Sequence, residues 1–144
     1  MLSTILAIAG KPGLFKLISG SKRMIIVESL LDGKRGPVYG NAQVNALSDI
    51  AMYTEDEEVA LREVFAAIQA KEGTNPIAID VKTASAEELR NYMAQVLPTY
   101  DRERVHNSDI KKLIQWYNLL LKNNLTDFSA EGENEGEKKV EENA

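Results

Sequence analysis

The stretch "VESLLDGKRGPVYG", residues 27–40, decides the reading of the fold. An apolar run ends at Asp32-Gly33, and a second begins after Lys34 and Arg35. Asp-Gly between two such runs is a strong hairpin signal, because a tight type I′ turn needs positive φ at both central positions. Pro37 has no N–H to give to a ladder, which assigns its strand to a sheet edge or a bulge. The adjacent cations Lys34 and Arg35 either grip an anionic partner or keep the hairpin in solution. What else reaches that end of the sheet decides between these.

Upstream, "GKPG" (10–13) is turn chemistry, "LFKLIS" (14–19) is a strand, and Gly20-Ser21 turns the chain into "MIIVESLL" (24–31). Centring the first turn on Ser21 sets Phe15 opposite Val27 and Leu17 opposite Ile25. Centring the second between Asp32 and Gly33 sets Val27 opposite Val38. These residues share one core face. The other face mixes Lys16 and Glu28 with Leu14, Ile18, Ile26, Leu30 and Tyr39. A sheet this apolar on both sides must be covered twice, curl into a barrel, or present a binding surface. Downstream, "NAQVNALSD" (41–49) reads as a short helical turn and "IAMYT" (50–54) as a returning strand. The expectation for residues 1–54 is a small SH3/Tudor-like antiparallel β-barrel.

Thr54 with Glu57 has the spacing of a capping box, and the acidic turn that follows suits a helix N-terminus. Leu61, Val64, Phe65 and Ile68 continue it as an apolar stripe, so 55–72 is read as an acidic connecting helix packed on the barrel. Residues 73–82 read as a linker. Ser85 with Glu88 opens a second helix, faced by Leu89, Tyr92, Met93 and Val96. After the polar loop "TYDRERVH", Asn107 or Ser108 caps a third, faced by Ile110, Leu113, Ile114, Tyr117 and Leu121, with Trp116 beside the stripe. Residues 83–125 form a helix–extended loop–helix unit on this reading. From Thr126 the chain is acidic and poor in apolar residues, as a disordered tail would be. The class is α+β.

The chain has 144 residues, 44% of them hydrophobic and 27% charged, enough for a globular core. It lacks Cys, which excludes disulfides and thiolate chemistry and fits the cytoplasm. The opening "MLSTILAIAGKPG" has no Lys or Arg before its short apolar part, unlike a signal peptide, and reads as the first structured element. The net charge of −5 is segregated. Residues 1–54 carry +3, 55–80 carry −5, 81–125 carry +2 and 126–144 carry −5.

No catalytic constellation emerges. His106 is the only histidine, and its neighbours Ser108 and Asp109 are close in sequence rather than across a fold, as a triad would require. The glycines at 13 and 20 do not match a phosphate loop in spacing or context. The acidic run at 55–58 lacks the remainder of an EF-hand loop. No metal site and no cofactor is expected, and the chain reads as a non-enzyme.

The charges supply the binding candidates. Lys34 and Arg35 leave the second turn, and Lys11 begins the first strand at the same end. Lys22 and Arg23 leave the first turn at the opposite end, about 25 Å away at roughly 3.3 Å per residue. In the C-terminal unit Arg102 and Arg104 sit in the loop, while Lys111 and Lys112 begin a helix whose dipole they oppose. These nine cations are the candidate nucleic-acid contacts. Tyr39 and Tyr53 are the candidate partner-contacting aromatics.

The segments "IAGKPGLFKLIS", "IIVESLLDGKRGPVYG", "YTEDEEVALREVF" and "LPTYDRERVHNSDIKKLIQWYNLL" are similar to a bacterial family of unknown function, and the likeness runs from about residue 4 to 122. It implies a Tudor/SH3-like barrel followed by a small helical domain, and it implies no activity or site residue. The C-terminal pattern more loosely resembles SAP- and LEM-type modules. The expectation is an adaptor whose barrel binds a protein partner. The alternative is an RNA- or DNA-contacting protein, with phosphate contacts at one barrel end modulated by the acidic tail. Dedicated nucleic-acid binders are usually basic, whereas this chain has a pI near 5.0.

Overall fold

The structure, a computed structural model, describes residues 2–128. The first apolar run forms a 3-10 turn at Leu2–Thr4 and a strand, β1 (Ile5–Ile8). Then follow β2 (Phe15–Gly20), β3 (Met24–Ser29), β4 (Arg35–Tyr39) and β5 (Val44–Ala46). These five make one antiparallel sheet in the order β4-β3-β2-β1-β5. The sheet has two edges and does not close into a barrel.

The expected closing strand is diverted. Residues 50–54 supply β6 (Ala51–Tyr53), which pairs with β7 (Glu58–Ala60) and not with the sheet. Thr54 causes this. Its Oγ1 accepts from the N–H groups of Asp56 and Glu57 at 3.2 and 2.8 Å, and its own N–H donates to Glu57 O at 2.9 Å. The side-chain bonds that resemble a helix cap in the sequence here close a hairpin. The helix, α1 (Leu61–Glu72), therefore starts after the acidic run rather than at it. Similarly, 41–49 is not one helical turn but β5 followed by a 3-10 turn at Leu47–Asp49.

The hairpin registers are offset by two residues from the expectation, and by three beyond Leu17 in the first hairpin. Leu17 faces Val27 and Phe15 faces Ser29, with an irregularity between Leu17 and Ser19. Val38 faces Ile25, and Gly36 faces Val27. In the second hairpin the cause is a longer turn. Asp32 Oδ1 accepts the Lys34 N–H at 2.9 Å, and Ser29 Oγ accepts the Leu31 N–H at 3.1 Å. Gly33 takes the left-handed φ of +76° that this loop needs. Leu30 thereby leaves the strand and is buried in the helix-side core. An offset of two keeps each side chain on its face, so the expected face survives.

β4 is the edge at which Pro37 sits. Ser29 N–H bonds Lys34 O, and Gly40 N–H bonds Arg23 O, at the two ends of the β3–β4 ladder. By the antiparallel alternation, Arg35, Pro37 and Tyr39 then point their backbone groups outward. Pro37 offers no donor there, and Tyr39 O already accepts from Ala42 N–H. The free edge is blunted.

Two further helices follow: α2 (Ala86–Val96), capped by Ser85 Oγ accepting the Glu88 N–H at 3.0 Å, and α3 (Asn107–Lys122). The N-cap of α3 is His106, ahead of the expected Asn107 or Ser108, and its N–H donates to Asp109 Oδ2 at 3.0 Å. The three helices and one face of the sheet share a large core. It takes Ile5, Leu14, Leu30 and Leu47 from the N-terminal part, and Phe65, Ile68, Met93, Ile114 and Tyr117 from the helices. The opposite sheet face buries Leu6, Ile8, Val27 and Val38 against neighbours from the same sheet, as a strongly curled sheet can.

The residues read as a linker are anchored. Ile77 is buried, and Asn118 of α3 clamps its backbone, accepting its N–H at 2.7 Å and donating to its carbonyl at 3.0 Å. The tail also begins later than its composition suggests. Phe128 is buried against Phe65 and Tyr117, with ring centroids at 5.3 and 5.9 Å, and Gln69 Nε2 donates to Thr126 O. The remainder of the expected disordered segment, 129–144, lies outside the described residues.

The hydroxyls of Tyr100 and Tyr117 are buried without a hydrogen-bond partner among the described residues. Burial, and then the nearby Glu72 carboxylate, raise the Tyr117 ionisation above the ordinary phenol range. Removing an unpaired buried hydroxyl is favourable, so Tyr117→Phe should raise stability by roughly 1 kcal/mol. The urea midpoint should rise with an unchanged slope. A lowered midpoint would mean that the hydroxyl is bonded. No helix among the described residues is long and apolar enough to cross a membrane.

Candidate functional site

The opening question about Lys34 and Arg35 is one of geometry. The β1–β2 connection brings Lys11 and Pro12 to the end of the sheet where the β3–β4 loop delivers Leu31, Lys34 and Arg35. Together they line a cleft of about 320 Å³. Its floor is apolar, made by Phe15, Val27 and Val38 of the curled face. The cations are unequal. Arg35 Nε donates to Glu28 Oε1 at 2.9 Å, so its charge is partly spent within the sheet. Lys11 and Lys34 have no ion pair among the described residues and are exposed. Asp32, the acidic residue of the rim, is engaged in accepting the Lys34 N–H.

The apolar surface continues towards α3. Pro12 and Leu31 also border a second cleft, of about 450 Å³, whose far wall is Trp116, Leu119 and Lys122. Leu31 is 53% exposed, high for its type, and forms the ridge between the two clefts. Its position depends on Gly13. A Cβ there would lie 2.7 Å from the Leu31 side chain, and Gly13 has a φ of +76°.

The other sequence candidates lie elsewhere. Lys22 and Arg23 are at the opposite end of the sheet, beside Tyr39, which pairs with Met24 and is 59% exposed. Tyr53 is on β6, with the Arg104 guanidinium 5.0 Å over its ring. The two tyrosines therefore belong to different places and form no common cage. Arg102 stacks 4.6 Å over the buried Tyr100. Arg104 also pairs with Asp101 at 3.6 Å and meets Lys112 at a separate pocket. Lys111, its neighbour on α3, is half-buried. Among the described residues, no group of three or more His, Asp or Glu is placed to hold a metal.

Pro12, Leu31 and Trp116 are among the lining residues that the sequence reading did not single out as site residues. The signal for Leu31 was the Leu-Leu pair ahead of Asp-Gly. A pair at that point cannot place both members on the same face, so one must face outward.

Residues 2–47 match the model of a domain of unknown function, DUF5606, and residues 50–120 match another, DUF6852. No curated protein matches the chain. A solution NMR structure of a structural-genomics target from Bacteroides vulgatus is 57% identical, with a TM-score of 0.73. The similarity covers 89% of this chain and 91% of that one. This chain, a DUF5606 segment followed by a DUF6852 segment, therefore belongs to the same family as the Bacteroides vulgatus protein.

Proposed function

We propose that the protein is a non-catalytic binding module of the cytoplasm. Its ligand is a polypeptide segment that places acidic residues beside apolar ones. The observation that supports this reading is the convergence of Lys11 and Lys34, from two separate loops, and Arg35, at the start of β4, on one cleft with an apolar floor. Cations at the rim suit carboxylates, while Phe15, Val27 and Val38 offer contact area to aliphatic or aromatic side chains. A curled antiparallel sheet with loops gathered at one end is also how SH3- and Tudor-like modules present a binding surface, and that analogy favours a peptide ligand. The ridge is aliphatic and the floor has Phe15 as its single ring, which favours a peptide over a nucleic acid strand, whose bases stack best on exposed aromatic faces.

The test is fluorescence anisotropy of the full chain with two kinds of probe at low and physiological salt. One is a labelled peptide of alternating Glu and Leu, and the other is a pair of labelled single-stranded DNA and RNA oligonucleotides. The expected result is micromolar binding of the peptide, weakened roughly tenfold by Lys11→Glu with Lys34→Glu, as loss of exposed charge pairs plus new repulsion implies. Oligonucleotide binding with a steep salt dependence, in the absence of peptide binding, would replace this reading with the nucleic-acid one. Binding of neither probe would remove both.

A further inference from the structure

The pocket where Arg104 and Lys112 meet is independent of the cleft described above. It lies between β6, the start of α1 and the N-terminal half of α3, with a volume of about 240 Å³. That is smaller than the pockets that take drug-sized ligands, and is the space of one large side chain or a compact small molecule. The inner wall is apolar. Met52, Leu61, Val105 and Leu113 are all buried, and the Trp116 ring closes one side.

The mouth is polar in a particular way. The Arg104 guanidinium lies 5.0 Å over the Tyr53 ring, and its Nε side faces Asp101 Oδ2 at 3.6 Å. The two terminal nitrogens remain to offer a fork of N–H donors. Lys112 stands in the second turn of α3 and lines the pocket with its exposed side chain. The carboxylate at the pocket, Asp109, accepts the His106 N–H at 3.0 Å and is committed to capping α3. Two cations and one carboxylate, which also accepts the His106 N–H, thus stand at the mouth of an apolar cavity.

We propose that this pocket binds a carboxylate-bearing aromatic group, with the ring against Trp116 and Leu113 and the carboxylate between Arg104 and Lys112. Two sources share that chemistry: a free aromatic acid, and the C-terminal residue of a polypeptide ending in an aromatic side chain. Neither source requires the sheet-end cleft to bind anything.

The chain supplies its own reporter, since Trp116 is its single tryptophan. The full chain is titrated with phenylacetate, with N-acetyl-glycyl-phenylalanine, and with benzyl alcohol as the neutral control, reading Trp116 emission. The expected result is a saturable change with at least one of the two acids, and binding of benzyl alcohol at least about tenfold weaker, as loss of a charge-assisted contact implies. Tighter binding of phenylacetate assigns the site to a free acid, and tighter binding of the peptide to a chain terminus. Trp116 also borders the cleft next to Leu31. The assignment therefore rests on Arg104→Met with Lys112→Met, which should abolish the preference for acid over alcohol. The same variant should keep the wild-type far-ultraviolet spectrum, since both side chains are exposed. No saturable change with either acid overturns the proposal. So does equal affinity for benzyl alcohol, or an acid preference that survives in the double variant.

Discussion

Phe128→Ala should lower stability by roughly 3–5 kcal/mol, the range for truncating a packed phenylalanine. A change of that size moves the melting temperature by roughly 10–20 °C in a domain of this size. By composition, position 128 belongs to an acidic tail and should tolerate any residue. By packing, it is 5% exposed and touches the rings of Phe65 and Tyr117, which are themselves wholly buried. Removing the ring opens a cavity in the middle of the helix layer. The measurement is urea unfolding of the full chain, with Phe128→Leu as a milder comparison that keeps much of the apolar volume. A loss under about 1 kcal/mol for the alanine variant, the size of an ordinary surface change, would show that the ring is outside the core. The same packing implies that ending the chain at residue 125 would be harmful.

Asn118→Leu should be nearly as damaging, at roughly 2–4 kcal/mol, although leucine is well suited to a helix. The Asn118 amide satisfies both backbone groups of Ile77, and Ile77 is 4% exposed. Leucine would leave a buried N–H and a buried C=O unpaired, each with its own desolvation penalty. Amide hydrogen exchange discriminates here. The Ile77 N–H should be protected in the native protein and exchange much faster in the variant. Equal protection in both proteins would mean that another group holds the segment.

These two sites illustrate where the sequence was legible. Periodicity located the apolar faces of all three helices, and the Ser85 cap, because those signals are local. Pro37 announced an edge strand for the same reason. Thr54 was ambiguous, since a hydroxyl three residues before a free N–H serves a hairpin as well as it serves a helix. Whether β6 would rejoin the sheet or fold back on β7 turned on that one side chain. The second register was offset because Ser29 and Asp32 enlarge a turn that Asp32-Gly33 would otherwise close tightly, and the first carries its own irregularity between Leu17 and Ser19. Ile77 and Phe128 could not be read, because each lies in a segment without helical periodicity or hairpin signals and is held by a partner far away in sequence. Of the site candidates, the grouping of Lys11 with Lys34 and Arg35 followed from strand direction alone. The meeting of Arg104, Lys112 and Tyr53 depended on how α3 docks, which no local pattern encodes.

The core that joins the sheet to the helices also has a consequence for synthesis on the ribosome. Leu2, Ile5, Leu14 and Leu30 emerge early, yet Tyr117 and Phe128, which complete the same core, come off last. At roughly 5–20 residues per second the nascent sheet waits several seconds with its helix-side face uncovered. During that interval the chain presents an apolar surface that the finished protein never shows. The blunted β4 edge is thus of most use before folding is complete, when neighbouring nascent chains are close and nothing else yet shields the sheet.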